Sequence, residues 1–392
     1  MATYAFYLAD FPDGGTGTAV LHTTERLVKD HNRVIVYTQR HHANNYPTDC
    51  NHNINVVVVP SNDACTPENV SFLCEHIKSN NVCAMVVVAM RLFPFALIKK
   101  NTSCKMIYAL HGQPFYEEHD VTLAKQLKAK RNFGRWLDYW LIQYWRIKFF
   151  QRSRKKVLPF YRDTIRDCDK FVVLCDNYVD IIVKELKLSD NDARKICSIP
   201  NGIITKESPA LNKEKIILFV GRLTFEDKRP LRLLKVWSKI YKKLPDWRFI
   251  IVGDGPEKST LHNAILQQKI ERMELVGYTN NVVDFYQKAS IVCLVSQYEG
   301  WGLCLAEAQA YGVIPIAFDC SAGIRDIISH PDSDGVLVAP YDCDVYAEKL
   351  LQLASNELTL SKMRQNVIKK SKEYTIERNS EGYRKLLEEI IY

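Results

Sequence analysis

Ser296-Gln-Tyr-Glu-Gly-Trp-Gly-Leu-Cys-Leu-Ala-Glu-Ala-Gln-Ala-Tyr-Gly312 lies between two apolar runs, Ile291-Val-Cys-Leu-Val295 and Val313-Ile-Pro-Ile-Ala317. Continuous runs of this kind read as buried parallel strands, and the stretch between them as a loop followed by a helix of two to three turns, stopped by Gly312. Gly300 and Gly302 let backbone amides approach a ligand closely. The helix starting near Leu303 aims its unpaired N–H groups and positive dipole end at the same place, which suits a phosphate. Leu303, Ala306, Glu307 and Ala310 fall on one helical face, so the Glu307 carboxylate sits on an apolar stripe and needs donors. Ribose hydroxyls would supply them, and Glu299 is placed to reach the hydroxyls of a sugar joined to a diphosphate. The plainer alternative is that Glu307 caps or pairs within the fold and Glu299 is a solvated loop residue.

Working outward, strand-like runs alternate with helical patterns along the chain: 33–37, 54–59, 84–89, 105–110 and 170–174 in the first half, then 216–220, 249–252, 291–295 and 313–317 in the second. The amino-terminal 1–10 reads as a first strand. The rhythm pauses over a polar stretch at 202–215, which is expected to be a linker. The fold class expected is therefore α/β, with two Rossmann-like, doubly wound domains facing across a cleft: residues 1–205, and residues 206–378, with a final helix over 379–392 returning to pack on the first. The 392 residues suit two such domains.

Two further motifs follow strands of the second half. Phe219-Val-Gly-Arg-Leu-Thr-Phe-Glu-Asp-Lys-Arg229 delivers Arg222 and Lys228 from one loop. Arg222 can bind a diphosphate in bidentate fashion, and Lys228 adds a point charge as the leaving group becomes more negative. Ile250-Ile-Val-Gly-Asp-Gly-Pro-Glu257 reads as a strand, a glycine turn and a helix start marked by Pro256.

Taken together, Gly221-Arg-Leu with its downstream Lys228, Val252-Gly-Asp-Gly-Pro256, and the pair Glu299 and Glu307 followed by Ala308-Gln-Ala-Tyr-Gly-Val-Ile-Pro-Ile-Ala317 resemble family 4 of the retaining glycosyltransferases, which have the GT-B fold. The likeness is close over 216–340. In the first half it is carried only in outline by the opening strand and glycine loop, His111-Gly112 and Ile199-Pro-Asn-Gly-Ile203. The resemblance implies that Arg222 and Lys228 hold the diphosphate of a nucleotide-sugar donor, that Glu307 binds its ribose, and that Glu299 and nearby amides hold the transferred sugar. Gly15, Tyr278, Gly302 and Leu303 complete the expected donor site. His111 is expected at the cleft beside sugar and acceptor, and with Glu299 forms the catalytic pair. The reaction implied is transfer on one face of the sugar, the leaving phosphate assisting deprotonation of the acceptor, with no essential metal and no cofactor, the nucleotide-sugar being a substrate. A UDP-sugar is the donor expected, and a surface polysaccharide or polyprenyl-linked sugar the acceptor. One departure stands in the loop Asp10-Phe-Pro-Asp-Gly-Gly-Thr-Gly-Thr18, which keeps Gly14 and Gly15 but lacks the basic residue often found after them in the family. As a dinucleotide fingerprint, Gly15-Thr-Gly-Thr-Ala-Val20 lacks its last glycine and gives a nicotinamide role little support.

Composition is that of an ordinary globular chain, 25% charged and 47% hydrophobic, with a net charge of +8. The amino terminus lacks the pattern of a secretory signal and no apolar run nears the roughly 20 residues that cross a bilayer, so a cytoplasmic location is expected. The twelve cysteines contain no Cys-x-x-Cys pair and read as reduced thiols. Segment 125–156 gathers eleven cations against Asp138, interleaved with Trp136, Tyr139, Trp140, Tyr144, Trp145, Phe149 and Phe150. That composition fits attachment to the anionic inner face of the cytoplasmic membrane; it also fits aromatics packed on the first sheet beneath a solvated cationic face. A nucleic-acid surface shares the composition, but no nucleic-acid partner is expected. Two other functions fit the architecture, a nucleotide-sugar epimerase and a non-catalytic nucleotide-sugar-binding scaffold.

Overall fold

The computed structural model describes residues 2–43, 46, 54–118, 137, 140–141, 152–205, 209 and 211–391. Its first sheet holds β1 (Thr3–Phe11), β2 (Arg33–His41), β3 (Asn55–Val58), β4 (Val82–Val88), β5 (Lys105–Ala109), β6 (Lys170–Val173) and β7 (Ile196–Ser198). They lie in the order β3-β2-β1-β4-β5-β6-β7, every neighbouring pair parallel. The second sheet holds β8 (Ile216–Val220), β9 (Arg248–Val252), β10 (Met273–Gly277), β11 (Ile291–Leu294), β12 (Ile314–Phe318) and β13 (Val336–Val338) in the order β10-β9-β8-β11-β12-β13, again all parallel. Parallel strands need both faces covered, and Ile217, Leu218, Phe219, Val292 and Ile316 are accordingly buried to the last atom. The chain is thus two Rossmann-like domains in the GT-B arrangement.

In each sheet the order reverses beside the first strand, between β1 and β4 and between β8 and β11. Loops leaving the carboxyl ends of strands on either side of such a reversal diverge and leave a crevice, which is where open α/β sheets bind ligands. The stretch 296–312 leaves β11 at the reversal of the second sheet, and 221–230 leaves β8 beside it.

The chain passes between the two domains twice, and the passages touch. Ile203 is 1% exposed; its N–H donates to the Tyr374 carbonyl at 2.8 Å, and its carbonyl accepts from the Ile376 N–H at 3.1 Å. A Cβ on Gly202 would stand 2.9 Å from the Ile376 Cα. The start of the expected linker at 202–215 is therefore packed backbone against backbone. Beyond it the helix Ile376–Ile391 lies on the first sheet, its Tyr383, Leu386 and Leu387 clustering with Tyr4, Phe6 and Val86. Among the described residues no helix is long and apolar enough to cross a membrane.

Candidate functional site

The helix Leu303–Ala310 starts at Gly302, whose φ of 91° and ψ of 51° lie in the left-handed region that glycine enters without strain. Among the described residues no side chain caps this end, which carries the positive end of the helix dipole. Ahead of it, Glu299 is 8% exposed and its Oε1 accepts from Ser296 Oγ at 2.7 Å and from Lys228 Nζ. Lys228 and Glu299 are thus paired with each other rather than standing apart. Burial pulls the Lys228 pKa down, but the neighbouring Glu299 carboxylate, with smaller help from Cys304 and Asp227, more than offsets this, and the ammonium is held firmly charged.

The loop that carries Glu299 is braced from below. The Gln297 N–H donates to the Asp227 carbonyl at 2.6 Å, and Tyr341 donates its hydroxyl to the Gln297 carbonyl at 2.6 Å. Arg232 donates to the Val295 carbonyl at 3.0 Å and stacks its guanidinium 4.7 Å from the Tyr341 ring centre. The Val252-Gly-Asp-Gly turn serves the same end: a Cβ at Gly253 would sit 2.0 Å from the Gly221 carbonyl oxygen, so only glycine lets the loops after β8 and β9 run together.

Glu307 lies one turn further along the helix, part-buried. Loss of solvation lifts its carboxyl to about 7, partly opposed by the Tyr286 hydroxyl, which donates to Oε2 at 2.9 Å. Tyr286 itself is buried in the helix Val283–Lys288. Sequence reasoning missed it, because a tyrosine at helical spacing reads as core.

Across the cleft, the first domain supplies the opposite wall. A Cβ on Gly14 would lie 3.6 Å from Arg222 Nη2, and one on Gly15 would lie 3.8 Å from Leu303 Cδ2. Arg222 is 62% exposed, with Asp13 Oδ2 3.9 Å from Nη2. Gly14 and Gly15 open the helix Gly14–Lys29, so the glycines of the incomplete dinucleotide pattern form a helix's first turn. The Gly300 backbone meets that of His111, a Cβ there standing 2.6 Å from the His111 carbonyl oxygen. The His111 Nδ1 is buried and unpartnered among the described residues, and burial lowers the imidazole to about 4, so it is neutral at pH 7.

The structure therefore gathers Gly15, Arg222, Lys228, Glu299, Gly302, Leu303, Glu307 and His111 at the facing ends of the two sheets. Tyr278 differs: it follows β10 at the far edge of the second sheet and is 65% exposed. Segment 125–156 lies largely outside the described residues; its end enters the helix Arg152–Asp167, where Lys155 and Lys156 are exposed and Val157 is buried. The eleven described cysteines are free thiols.

Comparisons with known proteins bear on the same region. Residues 202–374 match the model of the family Glycosyl transferases group 1. An uncharacterized glycosyltransferase of Haemophilus influenzae is 33% identical over 57% of this chain and 62% of its own length. The amylovoran biosynthesis glycosyltransferase AmsD of Erwinia amylovora is 34% identical over 37% of this chain and 40% of its own. The matches to these two curated relatives thus span less than two thirds of their lengths. Among solved structures, sucrose-phosphate synthase of Thermosynechococcus elongatus has a TM-score of 0.74 at 15% identity, covering 100% of this chain and 99% of its own. Anabaena HepE in complex with UDP and glucose has a TM-score of 0.74 at 14% identity, covering 99% and 100%. Residues 202–374 thus resemble a glycosyl transferases group 1 domain, in a chain that has the GT-B fold.

Proposed function

We propose that the protein is a retaining, metal-independent glycosyltransferase of family 4 that moves a sugar from a UDP-sugar to an acceptor hydroxyl in the assembly of a surface polysaccharide or glycolipid. The observation that carries this reading is the group Ser296–Glu299–Lys228 set directly before the uncapped amino end of Leu303–Ala310 and facing the backbone of His111 and Gly112. Arg222, Lys228 and the helix amides receive the diphosphate, while Glu307, braced by Tyr286, takes the ribose hydroxyls, which donate to it. Glu299 accepts from hydroxyls of the transferred sugar through Oε2, the oxygen that Lys228 and Ser296 leave to it.

Chemistry then follows from charge. As the bond between the anomeric carbon and the diphosphate oxygen lengthens, negative charge grows where Arg222, Lys228 and the helix amides already point. The acceptor oxygen adds from the same face, and its proton passes to the departing phosphate. His111, being neutral, serves as a hydrogen-bonding partner at Nδ1 for sugar or acceptor. The names of the relatives support the acceptor class: one is an amylovoran biosynthesis glycosyltransferase, and a Campylobacter jejuni relative is a GalNAc-alpha-(1->4)-GalNAc-alpha-(1->3)-diNAcBac-PP-undecaprenol alpha-1,4-N-acetyl-D-galactosaminyltransferase. HepE, with UDP and glucose bound, supports the donor class. A cytoplasmic site of action beside the membrane, held through 125–156, accords with a lipid-linked acceptor.

The test is UDP release from UDP-glucose, UDP-galactose and UDP-N-acetylglucosamine, with and without an undecaprenyl-diphosphate-linked sugar. The expected outcome is acceptor-dependent release that falls at least roughly 100-fold in Glu299→Ala. Epimerised donor without acceptor, or donor binding with no turnover for any acceptor, contradicts it.

A further inference from the structure

Tyr178 belongs to the first domain, in the first turn of the helix Asp176–Leu186 after β6, yet its hydroxyl is spent entirely on the second. It donates to the Gly300 carbonyl at 2.6 Å and accepts the Gly323 N–H at 3.1 Å. The side chain is 0% exposed. Gly300 directly follows Glu299, and Gly323 lies in the first turn of the helix Ala322–Ile327. The three backbones around this hydroxyl leave no room for a methyl group: a Cβ on Gly323 would lie 2.3 Å from the Gly300 carbonyl oxygen, and one on Gly300 would lie 2.6 Å from the His111 carbonyl oxygen. One hydroxyl thus joins the loop carrying Glu299, the helix behind it and the domain that carries His111.

We propose that Tyr178 is a positioning residue that couples the placement of the two domains to that of Glu299, so that the sugar-contacting carboxylate is set only while the domains are docked on one another. This rests on the reading of Glu299 as the sugar contact given above. Of the residues assigned to the nucleotide, Arg222 and Glu307 have their own neighbours in Asp13 and Tyr286, whereas Lys228 is bonded to Glu299 itself. The coupling therefore acts first on the sugar half of the donor and reaches the diphosphate only through Lys228. Phenylalanine fills the same space while stranding the Gly300 carbonyl and the Gly323 N–H, a defect that corresponds to a roughly tenfold change in the equilibrium of the loop.

The experiment compares wild type and Tyr178→Phe in two measurements. Amide hydrogen exchange needs no ligand: peptides covering 297–303 and 321–327 are expected to exchange about tenfold faster in the variant, while β8 and β9 exchange as before. Calorimetric titration with UDP and with the UDP-sugar that wild type binds tightest is expected to show about tenfold weaker affinity for the UDP-sugar and a clearly smaller loss for UDP. A variant that loses affinity for both equally or for neither overturns the inference, as does unaltered exchange at 297–303. If wild type binds neither UDP nor any UDP-sugar, the donor-site reading fails instead, and the exchange measurement alone decides whether Tyr178 fixes the loop.

Discussion

Neutralising Glu299 of the Lys228–Glu299 pair should damage the protein more than neutralising both partners. The pair is shielded, with side-chain exposures of 18% and 9%, so each charge relies on the other for the solvation it has lost. Glu299→Gln keeps the shape and the Ser296 bond but leaves the ammonium without its anion, and breaking buried pairs this way costs about 3 kcal/mol. Lys228→Met strands the carboxylate with Ser296 still donating at 2.7 Å, so the expected cost is smaller, about 2 kcal/mol. The double variant leaves no uncompensated charge and should also lose only about 2 kcal/mol, giving a coupling of about 3 kcal/mol between the two positions. Urea unfolding at pH 7.5 reads these values from the midpoints. Additive losses, with a double variant near 5 kcal/mol below wild type, would refute the claim that the two groups act as a buried pair.

Glu307 gives a pH signature. Its carboxyl is lifted from 4.5 to about 7, so the folded protein holds a proton that the unfolded chain releases, and stability from this group is lost as pH rises from about 4.5 to 7. Glu307→Gln stays neutral; its stability relative to wild type should therefore grow between pH 4.5 and 8, by at most roughly 3 kcal/mol. Thermal melts across that range check this, and a constant difference would contradict the raised pKa. At Gly302, alanine must enter a left-handed backbone and place its Cβ 2.7 Å from Ile324 Cδ1. The expected loss is about 2 kcal/mol, read in the same melts; a neutral substitution would mean that the helix start can shift.

What the sequence made legible follows from where information is local. β8 could be read directly as 216–220 because Ile-Ile-Leu-Phe-Val is a fully buried run. β10 could not: Met-Glu-Leu-Val-Gly is an edge strand with Glu274 exposed, and neither its alternation nor its apolar content stands out. β7 and β13 are three residues long and give no periodicity to read. The site divides in the same way. Gly302, Leu303 and Glu307 are legible because a glycine loop and a helix start lie together in the chain. The Tyr286–Glu307 bond is not, being 21 residues apart in sequence, and neither is the Tyr178–Gly300 bond at 122. Such partners are set by packing, and an isolated tyrosine in a helix carries no sign of what its hydroxyl will meet.

The measurement closest to the central claim is a thermal-shift panel of nucleoside diphosphates and nucleotide-sugars on wild type and Arg222→Ala. A donor at a hundredfold excess over its dissociation constant stabilises the folded protein by about 2.7 kcal/mol, a rise of several degrees. A uridine nucleotide is expected to give that rise with wild type and not with Arg222→Ala, whose own melting point should barely move because the side chain is 62% exposed. No nucleotide stabilising the wild type, or equal stabilisation of both proteins, would contradict the assignment of this cleft to a nucleotide-sugar diphosphate.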